Sequence, residues 1–244
     1  MIALLAAFQF LTILPPVVRR PFTHEELGRA VGFYPLAGLG LGAVLAALAW
    51  LSGRAFSPAV VAALVLAAWA VLTRGLHLDG WMDACDGLFG GFTPERRLEI
   101  MRDSRVGAFG VIGGVLVLLV QFAALNAAGV RPAALLLAPT LGRWAMAAAL
   151  VAFPYARAEG LGRAMKDHAR WPQAALATAI AGAAAWLLAG WVGIAVLGLA
   201  ALLMWGGARF ALARVPGLTG DLYGALGVAV ETATLLVFAS NLVF

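Results

Sequence analysis

Charged residues are scarce in this sequence of 244 residues, and lysine and cysteine are nearly absent. Only 12% of the residues are charged, whereas soluble domains contain about 25%. Lys166 is the single lysine, and Cys85 is the single cysteine, so an internal disulfide is excluded. Hydrophobic residues make up 63% of the chain. This composition excludes an ordinary soluble enzyme and is typical of an integral membrane protein.

The hydrophobic residues form long runs, and a helix needs about 20 of them to cross a bilayer. We expect an all-α fold: a polytopic membrane helical bundle of about seven transmembrane helices that forms one integral membrane catalytic domain over residues 1–244. The apolar run 2–15 is short, and it predicts an N-terminal interfacial or re-entrant helix, with a span as the alternative. The first span is rich in glycine, which predicts a close approach to another helix. The predicted spans are 30–51, 58–73, 111–127, 133–153, 172–188, 191–205 and 224–244.

The arginines are distributed unevenly between the two ends of these spans. The end with few arginines has only Arg54, Arg131 and a turn at Ala189-Gly190. Arginine-rich connections stay on the cytoplasmic side of a membrane. We therefore expect a multi-pass protein of the cell (inner) membrane, and the formal charge of +5 indicates topology rather than nucleic-acid binding. Nearly all arginines lie in four alternate connections, 17–29, 77–110, 155–171 and 206–223.

The connection 77–110 concentrates the acidic residues of the chain, with six of the twelve. Carboxylates at the edge of a bilayer are costly and usually indicate function. Asp79, Asp83 and Asp86 are spaced i, i+4 and i+7, which places them on one face of a helix. After a glycine-rich turn, a second set follows at i, i+4 and i+8: Glu95, Glu99 and Asp103.

This spacing predicts a metal site that opens to the cytoplasm. Two acid-bearing helical segments that face each other would repel unless a cation lay between them. The available ligands are oxygen atoms, without a cluster of histidine or thiolate, which favours a hard divalent cation. We predict Mg2+ first and Mn2+ second, bound by Asp79, Asp83 and Asp86.

Several arginines in the same connection suit an anionic, phosphorylated substrate. They are Arg96, Arg97, Arg102 and Arg105. For residues 95–105 alone, an ordinary solvated helix face with i,i+4 ion pairs is an equally good interpretation. Spacing does not decide between the two.

The turn that precedes the last span is a second candidate for anion binding. Thr219 and Gly220 lie at a predicted helix start, where backbone N–H groups bind anions. Asp221 either adds a metal ligand there or caps the helix.

Two ionisable residues, Arg143 and Glu231, lie inside apolar runs. Either they pair with each other, or Arg143 contacts a diphosphate. His77 lies on a different helical face from Asp79, so we expect it to pack or form a hydrogen bond rather than bind metal.

The most specific motifs are HLDGWMDACDGL at 77–88 and LEIMRDSRVGAFG at 98–110. With the weaker matches, nearly the whole chain resembles the cobalamin synthase family, the membrane-bound adenosylcobinamide-GDP ribazoletransferases. The sequence departs from the family pattern at Arg102, where lysine is usual, and keeps every carboxylate of the motifs. The weaker matches include Phe10-Leu11-Thr12, Phe33 to Gly38, Gly142-Arg143-Trp144, Tyr155-Ala156-Arg157 and Thr219-Gly220-Asp221.

The resemblance implies the last assembly step of cobalamin, in which alpha-ribazole or its 5'-phosphate attacks adenosylcobinamide-GDP and GMP leaves. It implies that metal ions on Asp79, Asp83 and Asp86 bridge the diphosphate, with Asp86 also in the catalytic set. Asp103 or Glu99 would accept the proton of the attacking hydroxyl. The residues implied in substrate binding are Arg102, Arg105, Arg143, Thr219, Gly220 and Asp221.

Two other functions remain as alternatives. A CDP-alcohol phosphotransferase of phospholipid synthesis also carries aspartates at helix ends, but here Asp83-Ala84 stands where that family has Ala-Arg. A cation-coupled transporter places isolated ionisable residues at mid-bilayer, as Arg143 and Glu231 are. Turnover in detergent, without a sealed compartment, separates the enzymes from the transporter. Besides the two substrates and membrane lipid we expect no nucleic-acid partner, and a homo-oligomer is compatible with the sequence.

Overall fold

The fold is helical throughout the described part of the chain, apart from one isolated β-bridge, as predicted. The computed structural model describes residues 1–127 and 131–241, so residues 242–244 of the predicted last span lie outside it. A 3-10 turn at Val31–Phe33 joins the second and third helices. The helices are α1 (Ile2–Leu11), α2 (His24–Ala30), α3 (Tyr34–Ser52), α4 (Pro58–Leu72), α5 (Leu76–Gly90), α6 (Pro94–Ile100), α7 (Ala108–Ala127), α8 (Pro132–Ala152), α9 (Leu161–His168), α10 (Trp171–Leu212) and α11 (Gly220–Ala239).

Five helical segments in the described residues are long and apolar enough to cross a membrane. They are α2 with α3 as one segment, α7, α8, α10 and α11. α4 and α5 together are also long and apolar enough to cross a membrane, as one broken segment that is bent by 87°.

α10 consists of two arms that fold back on each other at Gly190. The backbone of Gly190 has φ 54° and ψ −132°, outside the helical region. A Cβ at Gly182 would lie 4.0 Å from the side chain of Leu197, 15 positions later, whereas a straight helix would separate them by about 22 Å. Trp186 and Trp191 meet edge to face across the turn. The predicted turn is confirmed. The described residues form five long apolar segments, or six with the bent pair of α4 and α5, whereas about seven were predicted, and part of the difference is that α10 contains two of the predicted spans.

α8 is the central helix of the bundle and packs against α3, α10 and α11. Glycines of α3 allow the two backbones to touch. A Cβ at Gly38 would overlap the carbonyl oxygen of Pro139, and a Cβ at Gly42 would lie 2.5 Å from that of Leu135. The close approach predicted from the glycine-rich span is confirmed.

Gly38→Ala is expected to lower the free energy of unfolding by about 1–3 kcal/mol, because the added methyl group must displace the backbone of α8. The control is Gly198→Ala in α10, where a Cβ meets nothing within 4 Å. Alanine there is expected to leave stability unchanged or raise it by up to about 1 kcal/mol. Denaturant unfolding of both variants in detergent compares them, and equal stabilities would contradict the close packing.

The short helix α1 is docked at the bend between α4 and α5. α1 has 10 residues and is about 15 Å long, too short for a bilayer core of about 30 Å. The N–H of Ile13 donates to the carbonyl oxygen of Leu72 at 2.7 Å, and Arg74 at the bend donates to that of Phe10 at 2.9 Å. α1 is therefore not a helical span, which leaves the interfacial or re-entrant alternative.

The four arginine-rich connections meet at one end of the bundle. Arg97 of the second donates to the backbone oxygen of Arg214 in the fourth at 3.1 Å. Arg157 of the third donates to the backbone oxygen of Met101 in the second at 3.3 Å. α2, in the first, packs against α9, in the third. This grouping agrees with the prediction that the four connections share one side of the membrane, and which side that is stays a prediction.

Candidate active site

The first turn of α11 packs on the face of α5 that carries His77 and Gly80, beside the row of aspartates. Two glycines make the crossing close. A Cβ at Gly80 would lie 2.9 Å from the backbone oxygen of Asp221, and a Cβ at Gly224 would lie 3.4 Å from the Cα of His77. Since Gly80 directly follows Asp79, the crossing brings Asp221 to the row of α5 carboxylates.

A short stretch of extended backbone brings Arg157 to the same place. The N–H of Ala156 donates to the carbonyl oxygen of Leu218, and the N–H of Leu218 donates to that of Pro154, both at 2.8 Å. Arg157 then donates from Nη2 to the carboxylate of Asp221 at 2.7 Å. Sequence reasoning did not select Arg157, because pairing between two distant connections leaves no signal in the local spacing.

These side chains line a cavity of about 270 Å3, which we name the aspartate cavity. Its other walls are mostly apolar and aromatic. The polar side chains in its lining include Asp79, Asp221, Arg157, His77, Glu159, Tyr34, Tyr155 and Tyr223.

The carboxylates of Asp79 and Asp83 make no hydrogen bond or ion pair with another described residue. Asp83 is half-buried and interacts electrostatically with Asp79, Asp221, Asp86 and Arg157. Within the described ranges, no group of three His, Cys, Asp or Glu side chains could hold a metal ion as placed. The site therefore has an excess of negative charge and an incomplete protein ligand set.

Asp86 has an environment different from the one predicted. Its side chain is buried, and its two oxygens accept the N–H groups of Gly107 and Gly110, each at 2.7 Å, at the start of α7. A Cβ on either glycine would overlap the carboxylate, which explains the two glycines of the motif at 98–110. Seven residues advance about 10 Å along a helix, so Asp86 lines a different cavity from Asp79. The expectation of one pocket shared by all three aspartates does not hold.

Asp86→Asn is expected to lower the free energy of unfolding by about 1–3 kcal/mol, because the amide leaves one buried N–H of the α7 start without an acceptor. Unfolding of the purified variant in detergent measures the loss. A variant that keeps wild-type stability but loses turnover would contradict this anchoring role and return Asp86 to the chemistry.

The second half of the acidic connection lines an open cleft of about 810 Å3, the arginine cleft. Glu99 pairs with Arg96, and Asp103 pairs with Arg105, each at 2.7 Å. Hydrogen bonds from Arg105 lower the pKa of Asp103 to about 2, which makes it a weak base near neutral pH. Three arginines, including Arg102, and three carboxylates line the cleft. This balance favours the interpretation of a solvated face with ion pairs.

Arg143 lies inside the bundle and lines neither of these two cavities. Its side chain is 1% exposed and forms an ion pair with Glu231. A second nitrogen of its guanidinium lies 3.1 Å from Nδ1 of His77. The predicted pairing of Arg143 with Glu231 is confirmed, as is a hydrogen-bonding role for His77. The predicted contact of Arg143 with a diphosphate is not supported, because its charge is already paired in the interior.

In the turn before α11, one residue caps the helix and another faces the aspartate cavity. The hydroxyl of Thr219 accepts the N–H of Leu222 at 3.3 Å and donates to Asp221 at 3.2 Å. Thr219 is fully buried and therefore serves as the cap, not as a direct substrate contact. Asp221 and Gly220 line the aspartate cavity.

Known proteins resemble this chain over nearly its whole length. The profile of the family described as Cobalamin-5-phosphate synthase (CobS) matches residues 3–239. A protein of Pseudomonas savastanoi pv. phaseolicola is 46% identical over 244 residues, which cover 96% of this chain and 97% of the relative. A protein of Desulforamulus reducens is 42% identical over 229 residues, which cover 93% and 91%. Both relatives are named adenosylcobinamide-GDP ribazoletransferase. No solved structure matches the chain.

Proposed function

Because this chain belongs to the Cobalamin-5-phosphate synthase family, we propose that it is an adenosylcobinamide-GDP ribazoletransferase. In this reaction a hydroxyl of alpha-ribazole, or of its 5'-phosphate, attacks the phosphorus that carries cobinamide. A new P–O bond forms as the bond between the two phosphates breaks, GMP leaves, and the hydroxyl releases its proton. The product is adenosylcobalamin or its 5'-phosphate, which makes this the final assembly step.

We propose that one or two carboxylates of the set Asp79, Asp83 and Asp221 would hold Mg2+, or Mn2+ in its place, together with phosphate oxygens of the substrate. The observation that carries this is an excess of carboxylates around Arg157, two of which make no hydrogen bond or ion pair with another described residue. Mg2+ is usually bound by one or two carboxylates together with substrate phosphates and water. An incomplete protein ligand set therefore fits an ion that is shared with a diphosphate. Such an ion supplies charge neutralisation for the diphosphate and the leaving GMP.

The remaining groups position the substrates. Arg157 brings positive charge to the aspartate cavity. Arg102 and Arg105 line the arginine cleft instead, where they are proposed to contact a phosphate outside the aspartate cavity, although Arg105 must exchange its ion pair with Asp103 to do so. Arg105 holds the pKa of Asp103 at about 2, which argues against Asp103 as the proton acceptor and leaves Glu99 as the carboxylate that we propose for this role. Phosphoryl transfer depends mainly on such positioning and on charge neutralisation, and it needs no covalent nucleophile.

We propose that the site faces the cytoplasm from the cell (inner) membrane. The support is the meeting of four arginine-rich connections at the end of the bundle that carries both cavities. Arginine-rich connections stay in the cytoplasm.

Purified protein in detergent, incubated with adenosylcobinamide-GDP and alpha-ribazole, is expected to release GMP in the presence of Mg2+. Chelation by EDTA is expected to stop the release, and added Mg2+ to restore it. Full turnover in EDTA would remove the metal from the proposal. Absence of turnover in every metal condition would overturn the enzyme assignment and favour the transporter, since a transporter has no activity without a sealed compartment.

A further inference from the structure

Three buried side-chain atoms of the described residues have no hydrogen-bond partner, and all three belong to residues that line the aspartate cavity. They are Nε2 of His77, Nε of Arg157 and Oη of Tyr223. Buried polar atoms are nearly always hydrogen-bonded in folded proteins, and an unsatisfied one is destabilising. Their concentration in one cavity indicates that a bound group completes them.

The ion pair behind His77 decides which nitrogen of its ring carries the proton. A guanidinium has only donors, so the nitrogen of His77 that lies 3.1 Å from Arg143, Nδ1, must accept. A neutral imidazole whose Nδ1 accepts carries its proton on Nε2. Nε2 is therefore a donor, and in this state it does not bind a metal ion. The contact with Arg143 thus leaves His77 with a donor N–H on Nε2. The residue lines the aspartate cavity and also a small cavity of about 30 Å3 next to Glu231.

The other two atoms are also available as donors. Arg157 uses Nη2 for Asp221 and the backbone of Met101, which leaves Nε, a group that can only donate. The ring of Tyr223 stacks on Tyr155 with centroids 6.2 Å apart, and the residue is 4% exposed. Stacking and burial fix the position of its hydroxyl. His77 is likewise only 4% exposed, so two of the three donors are held rigidly.

We propose that His77, Tyr223 and Arg157 form a buried binding site for the non-bridging oxygens of one phosphoryl group of the diphosphate. This inference rests on the proposed function and assigns the phosphate to a place that differs from the exposed arginines of the arginine cleft. Phosphate oxygens accept several hydrogen bonds at once and gain most from donors that are charged or desolvated. Asp79 and Asp221 border the same cavity, so the phosphate lies beside the carboxylates proposed for the metal.

The test compares two ligands in binding, without turnover. Binding of adenosylcobinamide-GDP and of adenosylcobinamide, which has no diphosphate, is measured by calorimetry with Mg2+ and without ribazole. Tyr223→Phe removes only the hydroxyl. His77→Asn keeps an amide oxygen near the position of Nδ1 for Arg143 and removes the Nε2 donor. Each variant is expected to raise the Kd of adenosylcobinamide-GDP about tenfold, the effect of one lost charge-assisted hydrogen bond, and to leave that of adenosylcobinamide unchanged.

Tyr34→Phe is the matched control, because Tyr34 lines the same cavity and its hydroxyl already donates to the sulfur of Met165 at 3.3 Å. It is expected to bind both ligands as the wild type does. A variant that weakens both ligands equally has damaged the fold, and such a result for both Tyr223→Phe and His77→Asn overturns the inference. Wild-type affinity for adenosylcobinamide-GDP in both variants also overturns it, while the proposed function stands. No binding of adenosylcobinamide-GDP by the wild-type protein overturns the proposed function itself.

Discussion

Asp79→Asn is expected to reduce GMP release by about a thousandfold or more, because the charge that holds the metal beside the diphosphate is lost while the side chain keeps its size. The carboxylate of Asp79 has no partner among the described residues. Its removal therefore breaks no hydrogen bond or ion pair of the fold, and the stability of the variant is expected to stay near that of the wild type. Steady-state GMP release in detergent and unfolding of the same preparation measure the two effects.

The control for Asp79→Asn is Glu95→Gln, which removes an exposed carboxylate of the same acidic connection. We expect its GMP release to stay within about twofold of the wild type, as for an ordinary surface substitution. Because Asp79→Asn weakens the binding of the metal, raising the Mg2+ concentration is expected to recover part of the lost GMP release. Wild-type activity of Asp79→Asn would remove this residue from the metal site.

Arg143→Met is expected to lower the free energy of unfolding by about 3–5 kcal/mol, the effect of leaving one member of a buried ion pair without its partner. The side chains of Arg143 and Glu231 are almost completely buried. Water therefore cannot solvate the carboxylate of Glu231 once the guanidinium is removed. The carboxylate must then stay charged and unpaired or take up a proton. Denaturant unfolding in detergent measures the loss, and the expected effect is on stability rather than on a direct contact with substrate.

A double variant separates the loss of a buried ion pair from the loss of a direct contact with substrate. Arg143→Met with Glu231→Leu replaces the whole pair by apolar side chains, which is often nearly neutral for stability. We expect it to recover most of the stability that Arg143→Met loses, apart from the hydrogen bond to His77. If Arg143→Met were as stable as the wild type but bound adenosylcobinamide-GDP weakly, the pairing account would be wrong and a phosphate contact would be required.

The periodic features of the chain could be predicted from sequence because they depend on neighbours only. The turn at Gly190 and the common face of the α5 aspartates follow from local propensity and from the 3.6-residue repeat. Helix ends were predicted less well: the second arm of α10 ends at Leu212 rather than 205, and α11 begins at Gly220 rather than 224. The glycines of α3 also predicted a close helix contact, although not that the partner would be α8. The ion pair of Arg143 with Glu231 was one of two interpretations, and burial decided between them.

Two sites were beyond the reach of sequence reasoning. Asp86 has the same spacing as a metal ligand, but its role depends on Gly107 and Gly110, which form the start of another helix. Arg157 reaches Asp221 only because residues 154–156 pair with Leu218. Contacts between distant segments leave no periodic trace, so neither role follows from spacing. The sequence signal that did exist was that Gly107, Gly110 and Arg157 lie in segments that match the family pattern.

The sequence by itself determined that this protein is a helical membrane protein and that a row of carboxylates lies on one face of a short helix. These properties come from composition and from the repeat of a single helix. Only the tertiary structure decided which carboxylates remain without partners and which cations and donors face them. The reason is that a charged side chain in a membrane protein pairs with an opposite charge on another helix, and helix packing determines which residue that is. Distance along the chain does not determine it.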